Sequence, residues 1–260
     1  MKDDNQPLFS IITVTYNAEA TIGPTLASVA AQTYAGPVEY LVVDGASGDN
    51  TVSLAYKSGI RGLVVTSEPD RGLYDAMNKG LDRAKGRYVI FLNAGDAFHS
   101  PDVLQRYADA IAAHDEPGIV YGQTVLVDAD RRYVGPRHLT APDRLTYRSF
   151  ADGMKVCHQA MAVLRRIAGS YDLRYRFSAD YEWCLRCLQH SRRNVYLGPE
   201  PVIDYLAEGI TTKNEFRSLR ERFRIMCYYY GIVPTVARHL RFAARGLVRK
   251  INTHRKPLSR

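Results

Sequence analysis

The chain is short of the features that would place it in several large protein classes. Its 260 residues include four cysteines and one tryptophan. Cys184 and Cys187 form a C-x-x-C, but the pair lies in "ADYEWCLRCLQ", which has helical spacing, and no second pair completes a zinc site. The cysteines therefore read as free thiols. No apolar run approaches the ~20 residues that span a bilayer. The opening "MKDDNQP" lacks the apolar core of a secretory signal, so a cytoplasmic protein is expected. No G-x-G-x-x-G follows the first strand and no G-x-x-x-x-G-K-[ST] occurs anywhere, which disfavours a dinucleotide-binding Rossmann enzyme and a P-loop NTPase. There is no internal repeat and no low-complexity linker.

Acids are scarce in one region. From Lys213 to Arg260 two acids face thirteen Lys or Arg, so this segment carries +11 of a chain whose total is +8, and residues 1 to 212 carry −3. A nucleic-acid binder would carry its basicity on the folded body, so no nucleic-acid partner is expected. Within the tail, Val236, Leu240, Ala243, Leu247 and Ile251 share one helical stripe, and Arg238, Arg241, Arg245 and Arg249 share the opposite one. That pattern predicts an interfacial helix over 233–252, peripheral at the inner face of the cell membrane. The plainer alternative is a surface helix packed on the domain.

What is present is a core-forming chain, 46% hydrophobic. "FSIITVTY", "VEYLVVDG", "GLVVTSE" and "RYVIFLNA" read as strands, and the segments between them have helical periodicity. Val- and Ile-rich strands alternating with helices predict an α/β fold with a mostly parallel sheet flanked by helices. Past residue 100 the pattern loosens. A hairpin is expected around "DADR", a strand at "VCHQAMAVL", a helix at "SADYEWCLRCLQHS" with Ser178 at its N-cap, and two short strands at "NVYLG" and "PVIDYLA". Residues 138 to 153 read as a loop. One domain is expected over 1–212, with a basic helical C-terminal extension over 213–260.

The strand ends carry the chemistry. Ligands of open parallel sheets sit beyond the carboxyl ends of the strands. Here those ends hold Tyr16 and Asn17, then Asp44, then Glu68 and Asp70, then Asn93 to Asp96. Turns favour such residues anyway, but four polar ends, three with carboxylates, favour a site. With no phosphate-binding glycine loop, clustered carboxylates point to Mg2+ or Mn2+, which bridge carboxylates to phosphates. Gly95 beside Asp96 leaves room for a diphosphate to approach the backbone.

"SIITVTYNAEATIGPTLASVAAQTY", "EYLVVDGASGDNT" and "SEPDRGLYDAMNKGLDRAKGRYVIFLNAGD" together resemble the nucleotide-sugar-binding half of family 2 glycosyltransferases of the GT-A fold, close to those that build bacterial surface polysaccharides. The likeness is dense from residue 8 to about 100. It thins through "CHQAMAVLRR" and "FSADYEWCLR". It implies that Thr15, Tyr16 and Asn17 line the nucleotide pocket. It implies that Asp44 binds the nucleoside, alone because Gly45 and Ala46 stand where the family has a second acid and Gly-Ser. Asp70, Gly72 and Asn78 fall near the nucleotide, with Met77 in place of a familial arginine. "NAGD" takes the D-x-D position: Asn93 and Gly95 face the donor and Asp96 holds the metal. Asp180 in "SADYEW" matches the catalytic base, and His158 and Gln159 stand near the donor sugar or acceptor.

The resemblance thus implies a metal-dependent inverting glycosyltransferase. It would move a sugar from a nucleotide-diphosphate donor, UDP-linked by the uracil-binding pattern, to a glycan or lipid-linked acceptor. A sugar-phosphate nucleotidyltransferase is the alternative enzyme, although its glycine-rich arginine loop is missing from "TYNAEAT". A non-catalytic nucleotide-sugar binding module is the alternative without chemistry, and it would not need both Asp96 and Asp180.

Overall fold

A computed structural model describes residues 6–207 and 215–241. Its first half is a repeated strand–helix unit: β1 (Phe9–Thr15), α1 (Ile22–Ala30), β2 (Val38–Asp44), α2 (Thr51–Lys57), β3 (Leu63–Ser67), α3 (Leu73–Arg83) and β4 (Tyr88–Phe91). All seven residues of β1 and all four of β4 are buried, as expected of central strands covered on both faces. The four strands pair in parallel in the order β3-β2-β1-β4, with Thr15 opposite Asp44 and Asp44 opposite Ser67. That register brings the polar strand ends to one edge. Helical crossovers are what parallel neighbours require.

Beyond β4 the sheet becomes mixed. The further elements are β5 (Ala97–Phe98), α4 (Val103–Ala113), β6 (Ile119–Val127), β7 (Tyr133–Pro136), β8 (Met161–Leu164), α5 (Ala179–His190), β9 (Asn194–Leu206) and α6 (Glu215–Tyr230). β8 runs antiparallel to β4 and β6, β9 runs parallel to β6, and β5 closes the path antiparallel to β9. β6 and β7 form the expected hairpin.

Several local expectations are corrected. In "VCHQAMAVL" only Met161–Leu164 is strand, because His158–Ala160 turn as a 3-10 helix just before it. The two short strands at 194–206 are one strand with shifted register near Gln123, opposite the Gly198–Pro201 stretch that interrupts regular pairing. Residues 147–152 inside the expected loop form a 3-10 helix closed by a Thr146–Ser149 capping box. Ser178 stands at the N-cap of α5 but does not cap it. Its hydroxyl meets Ser218 of α6 at 3.0 Å instead.

α6 is docked on the domain. It buries Ile225 and Met226, Glu221 accepts the amides of Arg176 and Phe177 at 3.0 and 2.8 Å, and Tyr229 donates to Glu182 at 2.6 Å. Residues 232–241 form a further helical stretch after Gly231. Of the predicted interfacial helix, Ala243, Arg245, Leu247, Arg249 and Ile251 lie outside the described residues. Among the described residues no helix is long and apolar enough to cross a membrane.

Candidate active site

The strand β4 stops at Phe91, and "NAGD" is a turn beyond it. Asp96 donates its amide to the Asn93 carbonyl at 2.9 Å, and Gly95 takes φ 101° at the third position, where a side chain is disfavoured. A Cβ on Gly95 would also lie 2.9 Å from Leu206 Cδ2, so a side chain there would have to shift the end of Leu206 as well as strain the backbone. Thr25 of α1 clamps the turn, accepting from the Gly95 amide at 3.0 Å and donating to the Asp96 carbonyl at 2.7 Å. Arg131, from the β6–β7 hairpin, donates to the Gly95 carbonyl at 2.6 Å and pairs with Asp204 at 3.5 Å. Neither Thr25 nor Arg131 was anticipated. Their partners are distant in sequence, and no motif marks them.

The Asp96 carboxylate is buried. It accepts from the Leu206 amide and from Gln159 Nε2, each at 3.0 Å. Burial pushes its pKa up to about 7. The two hydrogen bonds and the charge of Arg131 pull the other way without prevailing. Next to Gln159, His158 sets Nδ1 3.8 Å from Asp180 Oδ2. Tyr74 donates to Asp180 Oδ1 at 3.1 Å. Burial drives the His158 pKa down to about 4. The negative charge of Asp180 resists this and the positive charge of Arg137 adds to it, so the imidazole is neutral at physiological pH. Burial first, then the charges of Asp96, Cys157 and Asp180, hold the Tyr205 phenol above its ordinary value.

Polar atoms without protein partners gather in the same space. Asn93 Oδ1, Gln159 Oε1 and both ring nitrogens of His158 are buried and unbonded. Buried polar groups are normally satisfied, so these atoms are candidates for receiving a ligand. One desolvated carboxylate with neighbouring free oxygens suits a hard, oxygen-loving ion whose remaining ligands come from a diphosphate. Asp96 would hold Mg2+ or Mn2+, with Asn93 and Gln159 beside it. No group of three or more His, Cys, Asp or Glu side chains with metal-binding geometry occurs among the described residues.

At the other end of the edge the expectations divide. Tyr16 is 68% exposed and free to form a wall. Asn17, at φ 47°, ties the first two strand ends together through the Ser47 hydroxyl and the Gly48 amide. Asp44 does not face this space. It is fully buried, and its carboxylate accepts from Thr15, from Ser67 and from both the amide and hydroxyl of Ser47. Burial raises its pKa, but these donors outweigh it and hold the carboxyl below the ordinary range. Thr15 is likewise turned inward, onto Asp44. The carboxylate that reaches the exposed surface is that of Asp70. A Cβ added to Gly45 would lie 2.4 Å from its Oδ2 and 3.4 Å from the Tyr16 ring, which explains Gly45. Gly72 donates to Asp70 Oδ1 at 2.7 Å and starts α3 at φ 118°. The Asn78 amide exchanges two hydrogen bonds with the backbone of Tyr171, at 3.0 and 2.6 Å.

Two residues near Asp180 are committed elsewhere. Glu182 is buried against Arg186 at 3.0 Å and Tyr229. Trp183 lies in the core, stacked on Tyr171 and bonded to the Gly169 carbonyl. A cleft lined by Tyr34, Gly36, Arg61 and Gly62 lies at the amino ends of the strands, away from both acids.

Exposed Tyr16 and half-buried Asp70 at the strand ends, then one buried acid and a second acid at a helix start, on a four-stranded parallel half-sheet, form the edge expected of a GT-A glycosyltransferase. The comparisons agree. Residues 10–169 match the family described as glycosyl transferase family 2. The PGL/p-HBAD biosynthesis glycosyltransferase of Mycobacterium bovis (strain BCG / Pasteur 1173P2) is 35% identical over 220 residues, covering 82% of this chain and 79% of its own length. The UDP-Glc:alpha-D-GlcNAc-diphosphoundecaprenol beta-1,3-glucosyltransferase WfgD of Escherichia coli is 25% identical over 221 residues, covering 84% and 85%. Among solved structures, S. aureus TarS 1-349 in complex with UDP-GlcNAc superposes with a TM-score of 0.69 at 19% identity, covering 90% of this chain and 73% of that one. This chain belongs to glycosyl transferase family 2. It is a glycosyltransferase, so neither the nucleotidyltransferase nor the non-catalytic reading holds.

Proposed function

We propose that the enzyme transfers a sugar, with inversion, from a UDP-linked donor to a lipid-linked glycan acceptor at the inner face of the cell membrane. The observation that carries this reading is the 3-10 turn at His158–Ala160. Gln159 touches Asp96 and its neighbour His158 stands beside Asp180, so a donor-side acid and an acceptor-side acid flank one pocket. The uracil nucleoside lies against Tyr16, with Asp70 as its acid. The diphosphate lies at the "NAGD" turn. There the Arg131 guanidinium would meet its oxygens, and the unbonded oxygens of Asn93 and Gln159 would face a bound cation. Bound at Asp96, Mg2+ or Mn2+ would supply charge neutralisation of the diphosphate.

In the transfer itself, the acceptor hydroxyl oxygen bonds to the anomeric carbon as the bond to the diphosphate oxygen breaks. Asp180 takes the hydroxyl proton, and the nucleoside diphosphate leaves with the bonding pair. Tyr74 holds Asp180 in place by its hydrogen bond to Oδ1. Neutral His158 presents a ring N–H or a lone pair to a sugar hydroxyl without competing for the proton. The lipid-linked acceptor is favoured by the kinship with WfgD, whose name specifies a diphosphoundecaprenol acceptor.

Asp180→Asn tests the assignment. Transfer should fall by ~10²-fold or more, the usual scale of general-base catalysis, while UDP-sugar still raises the melting temperature with Mn2+ present. Asp96→Ala should lose both transfer and the effect of Mn2+ on that thermal shift. Normal transfer by Asp180→Asn, or an undiminished Mn2+ effect in Asp96→Ala, overturns the corresponding role.

A further inference from the structure

The helical stretch 232–241 faces the wrong way for a helix packed on a protein surrounded by water. Its inward side is polar. Thr235 is fully buried, Arg238 lies 3.7 Å from Asp152 and 5.8 Å above the Tyr230 ring, and His239 packs edge-on against Phe223 at 5.1 Å. Its outward side is apolar: Ile232, Val233, Val236 and Leu240 are 68%, 79%, 39% and 67% exposed. A helix in water buries the apolar stripe and shows the polar one. This also revises the stripe expected from sequence, since Arg238 is engaged with the domain.

α6 carries an exposed face as well. Phe216, Arg220, Arg224 and Tyr228 recur every four residues, which puts them on one stripe, and all four are exposed. Seven of the fourteen exposed large apolar side chains among the described residues lie between Phe216 and Leu240. Among the described side chains, the exposed charge interleaved with them is positive. Arg217, Arg220, Arg224 and Arg241 are exposed, whereas Glu221 is turned inward onto two backbone amides. Aromatic ends, aliphatic side chains and arginines on one surface fit the boundary between lipid headgroups and acyl chains.

We infer that the outer faces of α6 and of residues 232–241 dock on an anionic phospholipid bilayer. The charge complementarity selects that occupant over a second copy of this chain, which would oppose arginine to arginine. The location gives the contact a use. Ser218, on the inner side of α6, touches Ser178, two residues before Asp180, so the helix that would carry the docked face packs beside the acceptor-side acid. That use rests on the lipid-linked acceptor proposed above; the evidence for the surface does not.

The test is flotation of the full chain with vesicles of phosphatidylcholine alone or mixed with phosphatidylglycerol, with no donor or acceptor present. Wild type should float with the anionic vesicles at low salt and be released as salt rises. Arg220→Gln with Arg224→Gln should weaken that binding roughly 30-fold, the loss expected for two surface cations. Ile232→Ser, Val233→Ser and Leu240→Ser together should abolish it, although every basic residue beyond 241 is kept. Lack of binding by wild type, or wild-type binding by both variants, overturns the inference, the second result assigning the contact to residues beyond 241. A concentration-dependent dimer in sedimentation equilibrium that the triple variant dissolves would give the surface to a second copy instead. Thermal shift by UDP-sugars on the same samples reports the glycosyltransferase reading separately.

Discussion

Two buried aspartates lie on one sheet edge and respond to burial in opposite ways. Asp44 has four donors around it, so ionisation is favoured there, and its share of stability is present above the unfolded carboxylate range and lost as pH falls through its lowered folded pKa. Asp96 has two, and desolvation wins, with a folded pKa of about 7. Its sign is reversed. In the metal-free protein the folded state binds a proton that the unfolded state has already released, so stability is fully present below about pH 4 and is lost as pH rises toward 7. Asp96→Asn should remove that loss. The melting temperature of wild type should fall relative to the variant between pH 4 and 7 and run parallel to it above. Equal pH profiles for the two proteins would mean that Asp96 is ionised without cost.

At the scale of elements, α3 shows what a motif can hide. Asn78 stands in the family's nucleotide-proximal segment, yet its amide spends both hydrogen-bonding edges on Tyr171 and so ties α3 to the chain leading into α5. Asn78→Ala should cost roughly 1–3 kcal/mol of stability by leaving those backbone groups without partners, read from urea unfolding. The donor KM should not move; a raised KM at unchanged stability would return Asn78 to the pocket. The four parallel strands were legible because β-branched runs bounded by glycine and aspartate have few other uses. Asp96, Asp180, His158 and Gln159 could be singled out because they occur in order in a recognisable family pattern, and the fold sets Gln159 on Asp96 and His158 beside Asp180. The inward turn of Asp44 was not, since it depends on Ser47 and Ser67 reaching it from two different connections. Nor was Arg131, whose partners Gly95 and Asp204 come from opposite sides along the chain. β5 escaped notice because two residues carry no periodicity.

At the scale of the whole molecule, the sequence divides by charge near Lys213, but packing does not divide there. α6 fills the core with Ile225 and Met226 and satisfies the backbone ahead of α5 through Glu221. A chain ending at residue 212 should therefore be insoluble or melt well below the full chain, whereas one ending at 241 should keep the wild-type melting temperature. A cooperative, fully stable 1–212 fragment would make α6 an appendage.

The 3-10 turn at His158–Ala160 has a consequence for product diversity. Adjacent α-carbons are ~3.8 Å apart and joined by a rigid peptide plane, so the side chains that attend the two acids cannot be repositioned independently. If Asp96 and Asp180 take the roles proposed for them, the two side chains beside them move together, and a change of linkage would come from how the acceptor is tilted into the gap rather than from sliding the base along the sugar.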